Sequence, residues 1–164
     1  MNRLSFHKAN SEFRYDEKTG TLWWRKPREG RRLDIPAGRR QKNRHVTVSL
    51  DYVAYQVPHI IWLLKTGKWP TKELDHKNTI RWDNRWNNLR EATPTQNRAN
   101  SSRRKDNSSG MKGVSWHAPR KKWRARIMLG RKETHLGLFD SKEAAQRIYI
   151  KAAKKYFREF ARAA

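Results

Sequence analysis

The sequence predicts an α+β chain in which small antiparallel sheets alternate with short helices. Two kinds of periodicity and their punctuation carry that reading. Lys122-Trp123-Arg124-Ala125-Arg126-Ile127-Met128 alternates strictly, with Trp123, Ala125 and Ile127 on one side, the mark of a half-buried strand. Ala144, Ala145, Ile148, Tyr149, Ala152 and Tyr156 recur at helical spacing and give one apolar face. Turn residues separate the periodic stretches, as in Asp16-Glu17-Lys18-Thr19-Gly20 and Leu129-Gly130-Arg131.

Taken in order, Phe13, Tyr15, Leu22 and Trp24 flank the first of those turns and predict a hairpin over residues 13–26. Residues 27–43 are basic, contain Gly30, Pro36 and Gly38, and read as a loop whose arginines could track phosphates. His45 to Leu50 and Tyr52 to Val57 predict two strands joined by a tight turn. His59-Ile60-Ile61-Trp62-Leu63-Leu64 predicts a short helix, with Pro58 near its first position and Gly67 after its end. His59 reads as a packing or capping histidine.

Glu73 to His76 predicts a strand, and the polar stretch Asn78 to Asn88 a structured loop with a short return strand. Trp82 and Trp86 in that loop read as packing residues. Thr93 is a good helix cap and Pro94 suits the first helical position, which puts Asn97 about one turn into the helix. Residues 101–109 have no apolar residue and no periodicity, and mark a basic linker. Beyond it, Gly113 to His117, Lys122 to Met128 and Thr134 to Gly137 predict a three-stranded antiparallel sheet. A helix opened by an Asp140/Glu143 capping box packs behind it. The expected domains are therefore 1–100, with a ββα core at about 71–100, and 110–164.

Charge narrows the partner. Lys and Arg number 39 against 15 Asp and Glu, a net +24. Residues 110–164 hold 15 basic and four acidic residues, so both halves are cationic. A polyanion is the natural partner, bound with steep salt dependence as counterions are released. There are no cysteines, which excludes disulfides and a cysteine zinc ribbon and makes a reducing cytoplasm the simple expectation. No apolar run approaches a membrane span, and Met1-Asn2-Arg3-Leu4-Ser5-Phe6 lacks the apolar core of a signal peptide.

Chemistry gathers at Asp75-His76, Asn88 and Asn97. Phosphodiester hydrolysis needs a nucleophile, a charge clamp on the phosphate and help for the leaving oxygen. Asp75 offers a carboxylate and Asn97 an amide oxygen, donors that suit a hard cation keeping several waters. His76 brings an imidazole, the side chain suited to accept a proton from water. Asp75 and His76 are neighbours, so they cooperate only at a strand end or bend.

The set Leu74-Asp75-His76-Lys77-Asn78, Asp83-Asn84-Arg85-Trp86-Asn87-Asn88-Leu89-Arg90 and Thr93-Pro94-Thr95-Gln96-Asn97 resembles the HNH endonucleases. The match is to the variant common among phage homing enzymes, in which Asn replaces the last His. The resemblance implies a ββα-metal fold, His76 as general base, Asp75 and Asn97 as ligands of one Mg²⁺ or Mn²⁺, and Asn88 as the residue fixing the loop beside the histidine. It implies cleavage of double-stranded DNA to 5′-phosphate and 3′-hydroxyl ends, by a monomer or transient dimer in the cytoplasm, the host's if the chain is phage-encoded. No membrane and no small-molecule cofactor are expected.

Lys112-Gly113-Val114, Trp123-Arg124-Ala125-Arg126-Ile127, His135-Leu136-Gly137-Leu138-Phe139, Ala144-Ala145 and Tyr149 resemble the Apetala-two/ethylene-response-factor DNA-binding domain. Mapped onto that family, Lys112, Ser115, His117, Arg124, Arg126, Glu133 and His135 face the major groove. The plant pattern has Arg or Trp where Ser115, His117, Glu133 and His135 stand, so its preferred site does not transfer. Two rivals remain from the sequence: a DNA-binding regulator with a silent nuclease unit, and an RNA binder. A sheet in the major groove disfavours the latter.

Overall fold

The computed structural model describes residues 4–28, 31–42, 44–103 and 106–162. Met1 to Arg3, Gly30 of the basic loop and Arg104-Lys105 of the linker lie outside them. The chain divides into two units, Met1–Glu91 and Ala92–Ala164. Both mix short helices with small antiparallel sheets, as the α+β expectation requires.

The first unit begins with a helix that the sequence does not announce. Helix α1, Phe6–Glu12, starts where the Ser5 hydroxyl accepts the Lys8 amide at 3.2 Å, and it buries only Ala9 and Glu12. So thin an apolar face leaves no periodic signal. The expected hairpin follows as β1, Phe13–Asp16, and β2, Thr21–Trp24, paired from Phe13–Trp24 to Asp16–Thr21. The basic loop contributes an unforeseen two-residue strand, β3, Arg39–Arg40. It pairs on the edge of β4, Val46–Leu50, which itself pairs with β5, Val53–Gln56. Asp51 and Tyr52, which join β4 to β5, both have positive φ.

Helix α2, Val57–Thr66, has Pro58 in its first turn and stops at Gly67, as expected. It buries Val57, Ile60, Ile61 and Leu63 against Phe13, Leu22, Val48 and Leu50 in one core. Burying such aliphatic side chains contributes about 1.5–3 kcal/mol each, so this core sets the frame for the loops above it. His59 lies against the Trp69 ring and Trp86 against Trp62, so both pack as expected. Strands β6, Glu73–His76, and β7, Leu89–Ala92, form a separate two-stranded sheet.

Buried Glu12 organises the basic loop. It is held by Arg28 and Arg31 at 2.8 Å each and by Lys8 at 3.2 Å. Burial alone would raise its pKa, but the hydrogen bonds from Arg31 and Lys8 overcome that and hold the carboxyl below its usual range.

The second unit opens with α3, Pro94–Asn100, under a complete capping box of Thr93 and Gln96. Strands β8, Val114–His117, β9, Lys122–Leu129, and β10, Lys132–Phe139, form a sheet with β9 central. A bulge between His135 and Gly137 shifts the register of β10. Helix α4, Lys142–Phe157, packs against the sheet.

Two details of α4 correct the sequence reading. Its cap is Ser141, whose hydroxyl accepts the Ala144 amide at 3.1 Å, while Asp140 pairs with Lys122 at 3.0 Å. Its buried stripe is Ala145, Tyr149, Ala153 and Phe157, and Ile148 and Tyr156 are 37% and 48% exposed. The stripe follows i, i+4 steps because Tyr149 must lie over Gly113. A β-carbon on Gly113 would sit 2.2 Å from the Tyr149 ring, and its φ of 73° is already left-handed. Gly113→Ala is therefore expected to cost about 3 kcal/mol from overpacking and backbone strain. Urea unfolding checks it, and an unchanged midpoint would contradict the fit.

Candidate active site

The strand end that Asp75 and His76 require is present, since they are the last residues of β6. Each is 6% exposed. They reach different partners, as neighbours on a strand should. The Asp75 carboxylate accepts Arg90 Nε from β7 at 2.9 Å. The His76 ring faces Asn84, with Nε2 3.0 Å from Oδ1. An amide oxygen only accepts, so this contact places the ring proton on Nε2 and leaves the lone pair on Nδ1.

Asn84 is backed by the N-terminal hairpin. Its carbonyl accepts the Tyr15 hydroxyl at 3.0 Å. Burial pushes the Tyr15 pKa up to about 12, so that hydroxyl remains a donor at any working pH. Gly20, in the hairpin turn, lets the backbone of Asn84 and Arg85 come so close that a β-carbon would lie 2.5 Å from the Arg85 nitrogen. The first hairpin is thus a wall against which the loop after His76 is set.

Asn88 closes that loop from within. Its amide oxygen accepts the Asn78 backbone N–H at 3.0 Å, and its Nδ2 donates to Asn78 Oδ1 and to the Asp83 carbonyl. Asp83 takes Asn78 Nδ2 at 2.7 Å and Arg85 Nε at 2.8 Å. The Arg85 guanidinium, with Asn78, holds the Asp83 pKa down to about 2. Thr79 carries a positive φ of 64° within the same loop.

Sequence reasoning missed two neighbours. His45, just before β4, is half-buried. Burial lowers its pKa, and its neighbours Arg81 and His76 add to the shift, so the three share one electrostatic neighbourhood. Asn84 was hidden among several asparagines of one short run. Trp82 departs from the packing expectation: it is 39% exposed, and Arg40 stacks on it with the guanidinium carbon 3.6 Å from a ring centre.

The remaining sites of the sequence reading lie in the second unit. Asn97 is half-buried in the first turn of α3, its amide bonded to the Thr93 carbonyl at 2.9 Å. The sheet register sets Ser115 opposite Arg124 and Arg126 opposite His135, on the face away from buried Ala125 and Ile127. Among the described residues, Ser115 Oγ and Arg124 Nε are buried without a hydrogen-bond partner. Arg126 pairs with Glu133 at 2.8 Å, and His117 Nδ1 accepts the Arg120 amide at 3.3 Å. Lys112 turns back, and its ammonium donates to the carbonyls of Arg98, Ala99 and Ser101. Burial and the charge of Arg162 push its pKa down to about 8.

Among the described residues no three His, Cys, Asp or Glu side chains gather as a metal cluster. The available donors are the Asp75 carboxylate and amide oxygens. That set fits a hard cation that keeps most of its waters, and not a closed zinc site. No helix among the described residues is long and apolar enough to cross a membrane.

Residues 55–99 match the family model of the HNH endonucleases. The match runs from β5 through α2, β6 and β7 into α3 and contains Asp75, His76, Asn84, Asn88 and Asn97. It supports an HNH nuclease acting on DNA. No curated protein and no solved structure matches the chain.

Acid should open the loop. The Asp83 pKa lies near 2, below the unfolded value of about 3.9, so its contribution is complete above that unfolded value and is lost as pH falls through 2. Tryptophan emission followed from pH 5 to pH 2 should show this step, and Asp83→Asn should remove it. An identical acid limb in the variant would contradict the assignment.

Proposed function

We propose that this protein is a metal-dependent endonuclease that hydrolyses a phosphodiester of double-stranded DNA and nicks at preferred sites. The observation that supports it best is His76, fixed through Nε2 by Asn84 beside Asp75, inside the segment that matches the HNH endonucleases. His76 then takes the proton of an attacking water on Nδ1. Asp75 and Asn97 would hold one Mg²⁺ or Mn²⁺, which when bound supplies positive charge for the phosphate and the leaving 3′ oxygen. Arg90 steadies the Asp75 carboxylate from the next strand. Asn88 ties Asn78 to Asp83 and keeps the loop from swinging Asn84 off the ring.

One catalytic histidine per chain gives one nick per event, with 5′-phosphate and 3′-hydroxyl ends following from the HNH resemblance. The C-terminal unit is the reader. Ser115, Arg124, Arg126 and His135 share one sheet face. Arginines so placed can pair with guanine or hold a phosphate. Lys112 and His117, bonded within the unit, support that face rather than meet bases.

The Asp75–Arg90 pair favours a second reading, a DNA-binding regulator whose nuclease unit is silent because the guanidinium already neutralises the carboxylate. Plasmid nicking separates the two. Wild type should nick with Mg²⁺ and stop with EDTA, and His76→Ala should lose at least about a hundredfold in rate, the scale of a general base. Arg124→Ala should retain nicking but relax the positions cut. Equal trace cleavage by wild type and His76→Ala would leave only the silent binder.

A further inference from the structure

Several arginines in and near the first unit's basic loop are neutralised. Arg28 and Arg31 answer Glu12, Arg32 pairs with Asp34, and Arg85 pairs with Asp83. Arg40 and Arg44 differ. Neither has a carboxylate partner among the described residues, and both are exposed. Their guanidinium carbons lie 3.6 Å and 5.7 Å from the ring centre of Trp82. The acid beside that tryptophan, Asp83, is committed to Asn78 and Arg85 and leaves their charge intact.

The stack is built from two directions. Arg40 sits on the edge strand β3, opposite Val46 of β4. The turn between them is closed by Gln41, which donates to the His45 carbonyl at 2.8 Å and accepts the Arg44 amide at 2.8 Å. Arg44 adopts φ 69° in that turn, a conformation uncommon outside glycine. Trp82 comes from the loop after β6, two residues before the asparagine that holds His76. The same neighbourhood contains Arg81 and His45.

We propose that Arg40, laid flat on Trp82 with Arg44 beside it, is a clamp for a DNA backbone phosphate next to the one that is cut. This rests on the nuclease reading and adds to it the group that holds the flanking strand. A guanidinium stacked on an indole loses little freedom on binding and keeps its N–H edge for the two non-bridging oxygens of a phosphate. A nucleobase is the poorer occupant, because Arg40 already covers the ring face on which it would stack. Trp82 is a positioning residue here, and the charge belongs to the arginines.

The test measures affinity of the full chain for a short labelled duplex in EDTA, across a range of salt, so that it does not depend on cleavage. Arg40→Ala should weaken binding about fivefold and lower the slope of log K against log salt by about 0.9, the signature of one phosphate no longer neutralised. Trp82→Leu should weaken binding about threefold with the slope kept, and Arg40→Lys should also keep the slope. Wild-type affinity and slope in Arg40→Ala would overturn the clamp. Phosphate-ethylation interference on a nickable duplex should show one phosphate at which ethylation weakens wild type but not Arg40→Ala, within a few phosphates of the nick. If that phosphate lies far from the nick, the placement of the clamp is overturned. If nicking fails while the Arg40 effects on duplex binding hold, the nuclease reading falls and the phosphate clamp stands.

Discussion

One hydrogen bond, from His76 Nε2 to Asn84 Oδ1, decides which atom of the imidazole can act as a base. Much of the first unit can be understood as support for it. The core of α2 and the β-strands holds the N-terminal hairpin, and the hairpin offers Tyr15 and the bare backbone of Gly20 to the residues around Asn84. From the other side Asn88 and Asp83 tie the loop to Asn78. A buried polar pair of this kind is worthwhile only when every member is held, because a half-satisfied network costs more than an apolar one.

The protein's few carboxylates are disposed to sort its many cations. Glu12 gathers three basic side chains and fixes the loop that leads to β3. Asp83 restrains Arg85, and Glu133 restrains Arg126. Among the described residues of the first unit, the cations left without a carboxylate include Arg40, stacked on Trp82, which belongs to the loop that carries Asn84. Net charge draws a polyanion to any surface, but a pre-oriented guanidinium selects where the backbone settles.

The strands other than β3, α2, the Thr93 cap and the three-stranded C-terminal sheet were legible because periodicity and capping are local properties. The strand end at Asp75 and His76 was legible because the turn that follows it is marked in the local sequence. Other features were not. Helix α1 hides because it buries only Ala9 and Glu12, and the stripe on α4 was misplaced because neighbouring small and aromatic residues fit two helical faces. Only the close approach of Tyr149 to Gly113 chooses between them. Asn84, Asn87 and Asn88 have the same chemistry, so no pattern tells which amide reaches the histidine. His45 is linked to His76 and Arg81 by electrostatics from a segment far back along the chain, which local reading does not see.

The most direct test of the central claim is the tautomer of His76, read from the nitrogen shifts of its ring by long-range ¹⁵N–¹H correlation at a pH where the ring is neutral. The account predicts the proton on Nε2 and a lone pair on Nδ1, with that preference lost in Asn84→Ala. A ring protonated on Nδ1 in the wild type would remove the base from the site and contradict the account.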